Sequence, residues 1–458
     1  MISNIAARLD RLPICKFHYK FFGLVSIGMF FDGLDMYVVA SVMAAIVKTG
    51  WTTVSGAAQL MSINLFGYLI GAAVAGYLGD RFGRRTMFVW SMLIYSVGTI
   101  LCALSINLYM LLALRFVTAF GTGGEVVTGY AVMGEFIPPS KRGEWGNLIW
   151  GVTGSAMPIV TFLGVFVMPI NPDAWRYMLA LPGIPAFIAW FIRRSMPESP
   201  RWYESVGRKD EAERTMATIE AEVERYTGKK LPDVAPVVIP KIIAEKKKIR
   251  DLFKKYLLPR TIVILVIYVV TGLGVYGMTM WIPTHFVNTG FTIAKSLKWT
   301  AAMTMGCPAG ALVGWFIAEK IYRKWGIVTV SIIGAILAYL FATSKSDFEI
   351  VWYGFATVTS LYCVMGLTYA VYIPELLPTE LRTTGSGFGM AFARIIAAFS
   401  PFGVVFLMSK FGFEGVIIAL GALFVLMGIT VATLGVETRG KTLEEIQAIA
   451  VRKLIKVE

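Results

Sequence analysis

Long apolar stretches recur along this chain, and they restrict it to one class of structure. A helix rises about 1.5 Å per residue, so about 20 consecutive apolar residues cross the roughly 30 Å hydrocarbon core of a bilayer. Twelve such stretches are expected at residues 20–47, 56–79, 86–106, 108–134, 143–169 and 174–193, and, beyond a polar centre, at 257–287, 298–320, 326–343, 348–373, 381–408 and 413–435. The pattern predicts an all-α integral membrane protein with twelve transmembrane helices in two six-helix halves. Of the 458 residues, 56% are hydrophobic and only 16% charged, a balance suited to lipid rather than water.

The net charge of +14 would suggest a nucleic-acid partner in a soluble protein. Here no nucleic-acid partner is expected, because basic residues in short loops set membrane topology. With both termini cytoplasmic, the loops on the far side hold Lys48, Arg176, Lys295, Lys298, Lys345 and Lys410, six of the 43 basic residues. The opposite orientation would put nearly all the positive charge outside. Residues 194–256, which include Lys246, Lys247 and Lys248, are expected to form a cytoplasmic linker with some amphipathic helix between halves 1–193 and 257–458. Cys15, Cys102, Cys307 and Cys363 are scattered, with neither metal-ligand spacing nor a disulfide framework. The basic, amphipathic residues 1–20 do not read as a cleavable leader, and the apolar run after them is too long for a signal core.

The two halves are copies. Asp80 and Glu319 stand 239 residues apart, Glu135 and Glu375 240, and Glu198 and Glu437 239. Their neighbourhoods agree: Gly79 to Arg85 answers to Ala318 to Lys324, and Glu135 with Arg142 answers to Glu375 with Arg382. Coincident offsets of this kind mark a duplicated six-helix unit. Repeated halves support alternating access to a site near the bilayer midplane.

The run Gly-x-x-x-Asp-Arg-x-Gly-Arg-Arg beginning at Gly76 resembles the signature of the major facilitator superfamily between its second and third helices. The likeness extends over essentially the whole chain. Pro197 to Arg201 and Glu437 to Gly440 are similar to loop endings of the sugar porters and organic ion transporters. Phe31 to Asp35, Gly121 to Glu125, and Pro374-Glu375 with Gly385 to Gly387 resemble bacterial niacin transporters and related metabolite:proton symporters. Tyr322 departs from the motif, which has glycine there. The resemblance implies a monomeric secondary transporter in a bacterial inner membrane, surrounded by lipid and needing no cofactor or metal.

The duplicated edge charges, Asp80, Arg84, Glu135, Arg142, Glu319, Glu375 and Arg382, are expected to act as gates that pair when the inner side closes and separate when it opens. Charges deep in the helices differ, because an ionisable group at the bilayer centre costs at least about 2.5 kcal/mol and survives mainly beside a cavity or a partner. Asp32, Asp35, Arg115, Glu125 and Arg394 are such groups, and none recurs in the other half. The duplication did not require them, which favours function.

Proton coupling needs a group that titrates, and no histidine falls in the core: His18 precedes the first expected helix and His285 ends the seventh. A carboxylate is therefore expected. By the resemblance, Asp35 and Arg115 match the aspartate and arginine that pair in proton-coupled sugar symporters, with Asp32 as an alternative carrier. Glu125 is a third candidate, or a substrate-facing group. In the organic ion transporters the position of Arg394 tends to be basic in anion carriers. A guanidinium fork binds a carboxylate through two parallel hydrogen bonds. The substrate expected is thus a small organic anion, a monocarboxylate, with Tyr276, Trp281, Tyr362 and Tyr369 able to stack on a ring such as that of nicotinate. A sugar:proton symporter is the nearest alternative, but the chain holds only two glutamines, Gln59 and Gln447, and sugars are usually held by side-chain amides. A sensor on the same fold also remains. No nucleophile motif or metal cluster suggests an enzyme, and Gly121 to Gly124 falls inside a helix, where glycines permit close packing.

Overall fold

The computed structural model describes residues 5–193, 196–232, 249–255, 257–318, 320–378 and 381–439. Among them, ten helices are long and apolar enough to cross a membrane. One, Gly385–Leu434, has 50 residues, more than twice the length a single crossing needs. It breaks at Gly412, whose φ of 65° and ψ of −172° leave the helical region, so it supplies the eleventh and twelfth spans. The helix Pro139–Val167 is the fifth span. The expected twelve are therefore present.

Local sequence explains the ends. Asn107 begins the fourth span, its side chain accepting from the Met110 N–H at 2.9 Å. Ser346 and Glu349 form a reciprocal capping box at the start of Asp347–Leu367. The first span, Lys16–Lys48, starts earlier than the apolar pattern suggests and takes in His18. Bilayer-spanning segments must satisfy their own backbone bonds, which is why the described spans are helical.

Glycine stripes set the helix pairing, again in duplicate. A Cβ on Gly67 would fall 2.5 Å from the Phe116 carbonyl oxygen, and one on Gly71 would fall 1.9 Å from that of Phe120, so the second and fourth spans touch backbone to backbone. Gly306 and Gly310 meet the carbonyls of Phe355 and Thr359 in the same way, at 2.6 and 2.3 Å. These four contacts repeat at the interval of the edge charges.

Two compact units emerge. The first comprises Met1–Met36, Phe66–Ala156 and Arg176–Ile242. In it a short helix, Ile5–Asp10, docks on Lys209–Thr227 of the linker through Ile5, Leu9, Met216, Ile219 and Val223. Arg8 and Arg11 reach Glu220 at 2.6 Å each. The second comprises Tyr37–Leu65, Met157–Trp175 and Ile243–Glu458. It joins the ends of the first, second and fifth spans that lie away from the N-terminus to the second six-helix repeat. Residues 37–46 are buried on every face of their helix within this unit.

Candidate functional site

In the first unit, Asp35 and Arg115 form an ion pair that is 1% and 0% exposed. Arg115 donates from Nη1 to Oδ1 of Asp35 at 2.9 Å and from Nη2 to Oδ2 at 3.1 Å, the fork-on-fork geometry that guanidinium and carboxylate favour. Arg115 Nη2 also donates to the Asp35 carbonyl at 3.3 Å, and Thr99 Oγ1 donates to Asp35 Oδ1 at 2.8 Å. The pair thus ties the first, third and fourth spans. Removing one partner of a buried pair leaves the other charge stranded, at about 3–5 kcal/mol. Asp32 and Glu125 are buried in the same unit.

The second unit holds Arg394, half-buried on the eleventh span. Its Nη1 donates to the Tyr276 hydroxyl, and its guanidinium carbon lies 5.1 Å from the centre of the same ring. Tyr276 owes its placement to an interruption: the seventh span widens to a π-helix over Leu273–Met278 and tightens to 3-10 over Thr279–Trp281. Gly272, Gly274 and Gly277 lower the cost of leaving α geometry there, and Thr279 Oγ1 satisfies the Gly274 carbonyl at 3.0 Å. A second π segment, Thr368–Tyr372, places Tyr369 at the end of the tenth span. The Tyr369 hydroxyl is 2.6 Å from Thr271 Oγ1, and its ring is 4.8 Å from that of Tyr268. Tyr369 lies within electrostatic reach of Arg394 and Tyr276. Trp281 is fully buried. Such π interruptions concentrate at functional sites. A cation among tyrosine rings can hold a carboxylate and face the ring attached to it.

The edge charges pair within each unit. Arg84 reaches Asp80 at 3.0 Å and Glu135 at 2.5 Å. Its counterpart 239 residues on, Arg323, pairs with Glu375. Glu319 lies outside the described residues, as do the side chains of Arg142 and Arg382. Glu198 adds a function that the repeat alone does not disclose. Its carboxylate accepts from the N–H groups of Arg85 at 3.0 Å and Thr86 at 3.4 Å, capping the third span. Glu437 caps the ninth span from Arg323 at 3.0 Å and Lys324 at 3.1 Å. A carboxylate at a helix N-terminus meets orphan N–H groups and the positive end of the dipole. Gly83 has φ 105°, and a Cβ there would fall 2.2 Å from Glu198 Oε2. Tyr322, at the matching position, has φ −62° and needs no glycine.

Sequence reasoning passed over Thr99, Thr271 and Arg323 as site residues. Arg323 was open to the same offset arithmetic as its neighbours. The threonines carry no sequence signal, being ordinary residues of apolar helices until a partner is brought to them.

A family model described as Major Facilitator Superfamily matches residues 25–401. The inner membrane metabolite transport protein YdjE of Escherichia coli (strain K12) is 35% identical, over 98% of this chain and 99% of its own. The niacin transporter NiaP of Acinetobacter baylyi is 29% identical, over 97% and 99% of the two chains. Among solved structures, the inward open conformation of the xylose transporter XylE from E. coli superimposes with a TM-score of 0.72 at 18% identity, covering 94% of this chain and 99% of that one, a likeness of fold.

Proposed function

This chain belongs to the major facilitator superfamily, and from that premise we propose that it is a proton-coupled symporter of a small organic anion, a monocarboxylate, with aromatic acids such as nicotinate as one class of candidate. The observation that carries the reading is Arg394, a permanent cation hydrogen-bonded to Tyr276, with Tyr369 close by. Its guanidinium recognises a carboxylate without losing charge to deprotonation, and Tyr276, Tyr369 and Trp281 supply ring surfaces. The name of the niacin transporter among the relatives points to the same substrate class.

Proton coupling rests on Asp35 with Arg115. A carboxylate beside a guanidinium stays ionised, and separating the two in a buried setting favours proton uptake. Substrate and proton are then carried together as the repeats rock about a midplane site. Asp32 and Glu125 supply further carboxylates, Glu125 on the substrate side. Arg84 with Asp80 and Glu135, and Arg323 with Glu375, act as inner gates, joined by Arg142, Glu319 and Arg382. Both termini and the linker lie in the cytoplasm of a bacterial cell, and the monomer is the working unit.

The test is a melting-temperature screen of purified protein against benzoate, nicotinate and short aliphatic carboxylates, beside neutral sugars and organic cations. A ligand at 100 times its Kd stabilises by about 2.7 kcal/mol through mass action. Stabilisation by carboxylates, abolished in Arg394→Ala, is expected. Stabilisation by sugars or cations instead overturns the substrate class.

A further inference from the structure

The first span changes units within one turn. Its share of the first unit ends at Met36 and its share of the second begins at Tyr37. Asp35 therefore lies two residues before a side chain that belongs to the substrate-binding unit. The Tyr37 hydroxyl is 3.4 Å from that of Tyr362, with the residues 7% and 2% exposed. Tyr37 is also within electrostatic reach of Tyr276 and Arg394. In the same unit, Cys307 Sγ stands 3.9 Å from Met157 Sδ, so the fifth and eighth spans meet as the first and tenth do. A phenylalanine would bury as much ring. A hydroxyl taken out of water is costly unless it is partnered, so a pair of phenols here selects one arrangement of the two helices rather than adding apolar burial.

We infer that Tyr37 is a positioning residue for coupling: through Tyr362 it holds the far end of the first span closed, and so ties the setting of Arg394 to the helix that carries Asp35. The geometry stands by itself, while the consequence for transport rests on the symport reading above. In that reading the far end is the outer one. When the outer side opens, the two phenols must part. Without the hydroxyl pair the closed arrangement loses its specific restraint, and the outer end opens without regard to the state of the site.

The experiment uses Ala45→Cys as a reporter in right-side-out vesicles. Ala45 is 2% exposed, one face of a cleft of about 390 Å³ that also involves Thr49, Asn171 and Trp175. Its reaction with a membrane-impermeant maleimide, corrected for the parent's native cysteines, reads outer opening with no substrate present. Tyr37→Phe should raise the labelling rate at least fivefold. Tyr362→Phe, which also loses the hydrogen bond between Tyr362 and Cys307, should raise it at least as much, and the double variant should not exceed Tyr362→Phe by more than twofold, since the phenol pair is already gone there. Both variants keep the ring; a labelling rate within twofold of the parent in the two singles overturns the inference. A second readout separates coupling from damage. Counterflow of radiolabelled nicotinate should stay within threefold of the parent in Tyr37→Phe, while accumulation driven by a pH gradient falls at least tenfold. An equal fall in both would make Tyr37 merely structural. If the parent neither moves nicotinate nor is stabilised by any carboxylate, the substrate reading fails, and the labelling rates alone decide for or against Tyr37.

Discussion

A single side chain in a lipid-dissolved protein is judged by what its polar atoms meet, and Asp35 meets three donors: both terminal nitrogens of Arg115 and the hydroxyl of Thr99. Asp35→Asn keeps acceptor capacity but cannot exchange a proton. Counterflow of a carboxylate should survive in that variant, while accumulation driven by a pH gradient falls at least tenfold; unimpaired accumulation would assign the proton to another carboxyl. Gly83 is judged by backbone and space together. Its φ of 105° and ψ of 140° suit glycine, and a side chain would strike Glu198. Gly83→Ala should destabilise by about 1–3 kcal/mol, visible as a lower melting temperature, whereas Tyr322→Ala should change it little. The departure of Tyr322 from the motif leaves the Glu437 cap intact, because the helix start at Arg323 can be reached from ordinary backbone geometry.

Elements outside the bilayer follow the rules of soluble proteins, and the Ile5–Asp10 helix is an example. It is too short to persist alone and is held by its apolar contacts and by Arg8 and Arg11 on Glu220. Burial by itself would raise the Glu220 carboxyl, but hydrogen bonds from Arg8 and Arg11 outweigh it and hold it below the usual range. A lowered carboxyl contributes stability that is fully present above the ordinary value of about 4.3 and is lost as pH falls through its lower folded value. The protection factors of amides over residues 5–10 and 209–227, exchange taken relative to the intrinsic rate at each pH, should therefore fall as pH drops from 5 to 3, and Glu220→Gln should remove most of that fall. The linker's amphipathic helix was legible in the sequence, where Met216, Ile219 and Val223 recur at helical spacing within a charged run and form one buried face. The π segment of the seventh span was not. Glycines there signal only that α geometry is weakly enforced, and the shift to π is decided by packing against neighbouring spans.

At the scale of the molecule, topology is a matter of where basic residues fall along the chain. On the proposed orientation, with both termini cytoplasmic, a phosphatase that is active only outside the cytoplasm should work when fused after Lys345 and stay silent when fused after Lys230. The reverse pattern would invert every assignment of inner and outer gate. The gating role proposed for the duplicated edge pairs makes a second expectation. Arg84 and Arg323 each hold a glutamate within their own unit, so Arg84→Ala and Arg323→Ala should each slow counterflow about tenfold while the carboxylate-induced melting shift persists. Loss of the shift in either would place that arginine at the substrate rather than at a gate.

Twelve spans, two repeats and the deep charges were written in the sequence, because bilayer thickness, helical rise and the cost of an intramembrane charge act on every chain alike. The offset near 239 residues even anticipates contacts that it was not used to find, such as Gly71 on Phe120 and Gly310 on Thr359. Tertiary structure alone decided what each deep side chain touches. Asp35 and Arg115 are 80 residues apart, Arg394 and Tyr276 118, and Tyr37 and Tyr362 325. Periodicity fixes the face of a helix on which a residue lies, but the neighbour that face receives is settled only when backbones close on one another. That is why a tyrosine with no sequence signal stands beside the groups that the sequence singled out.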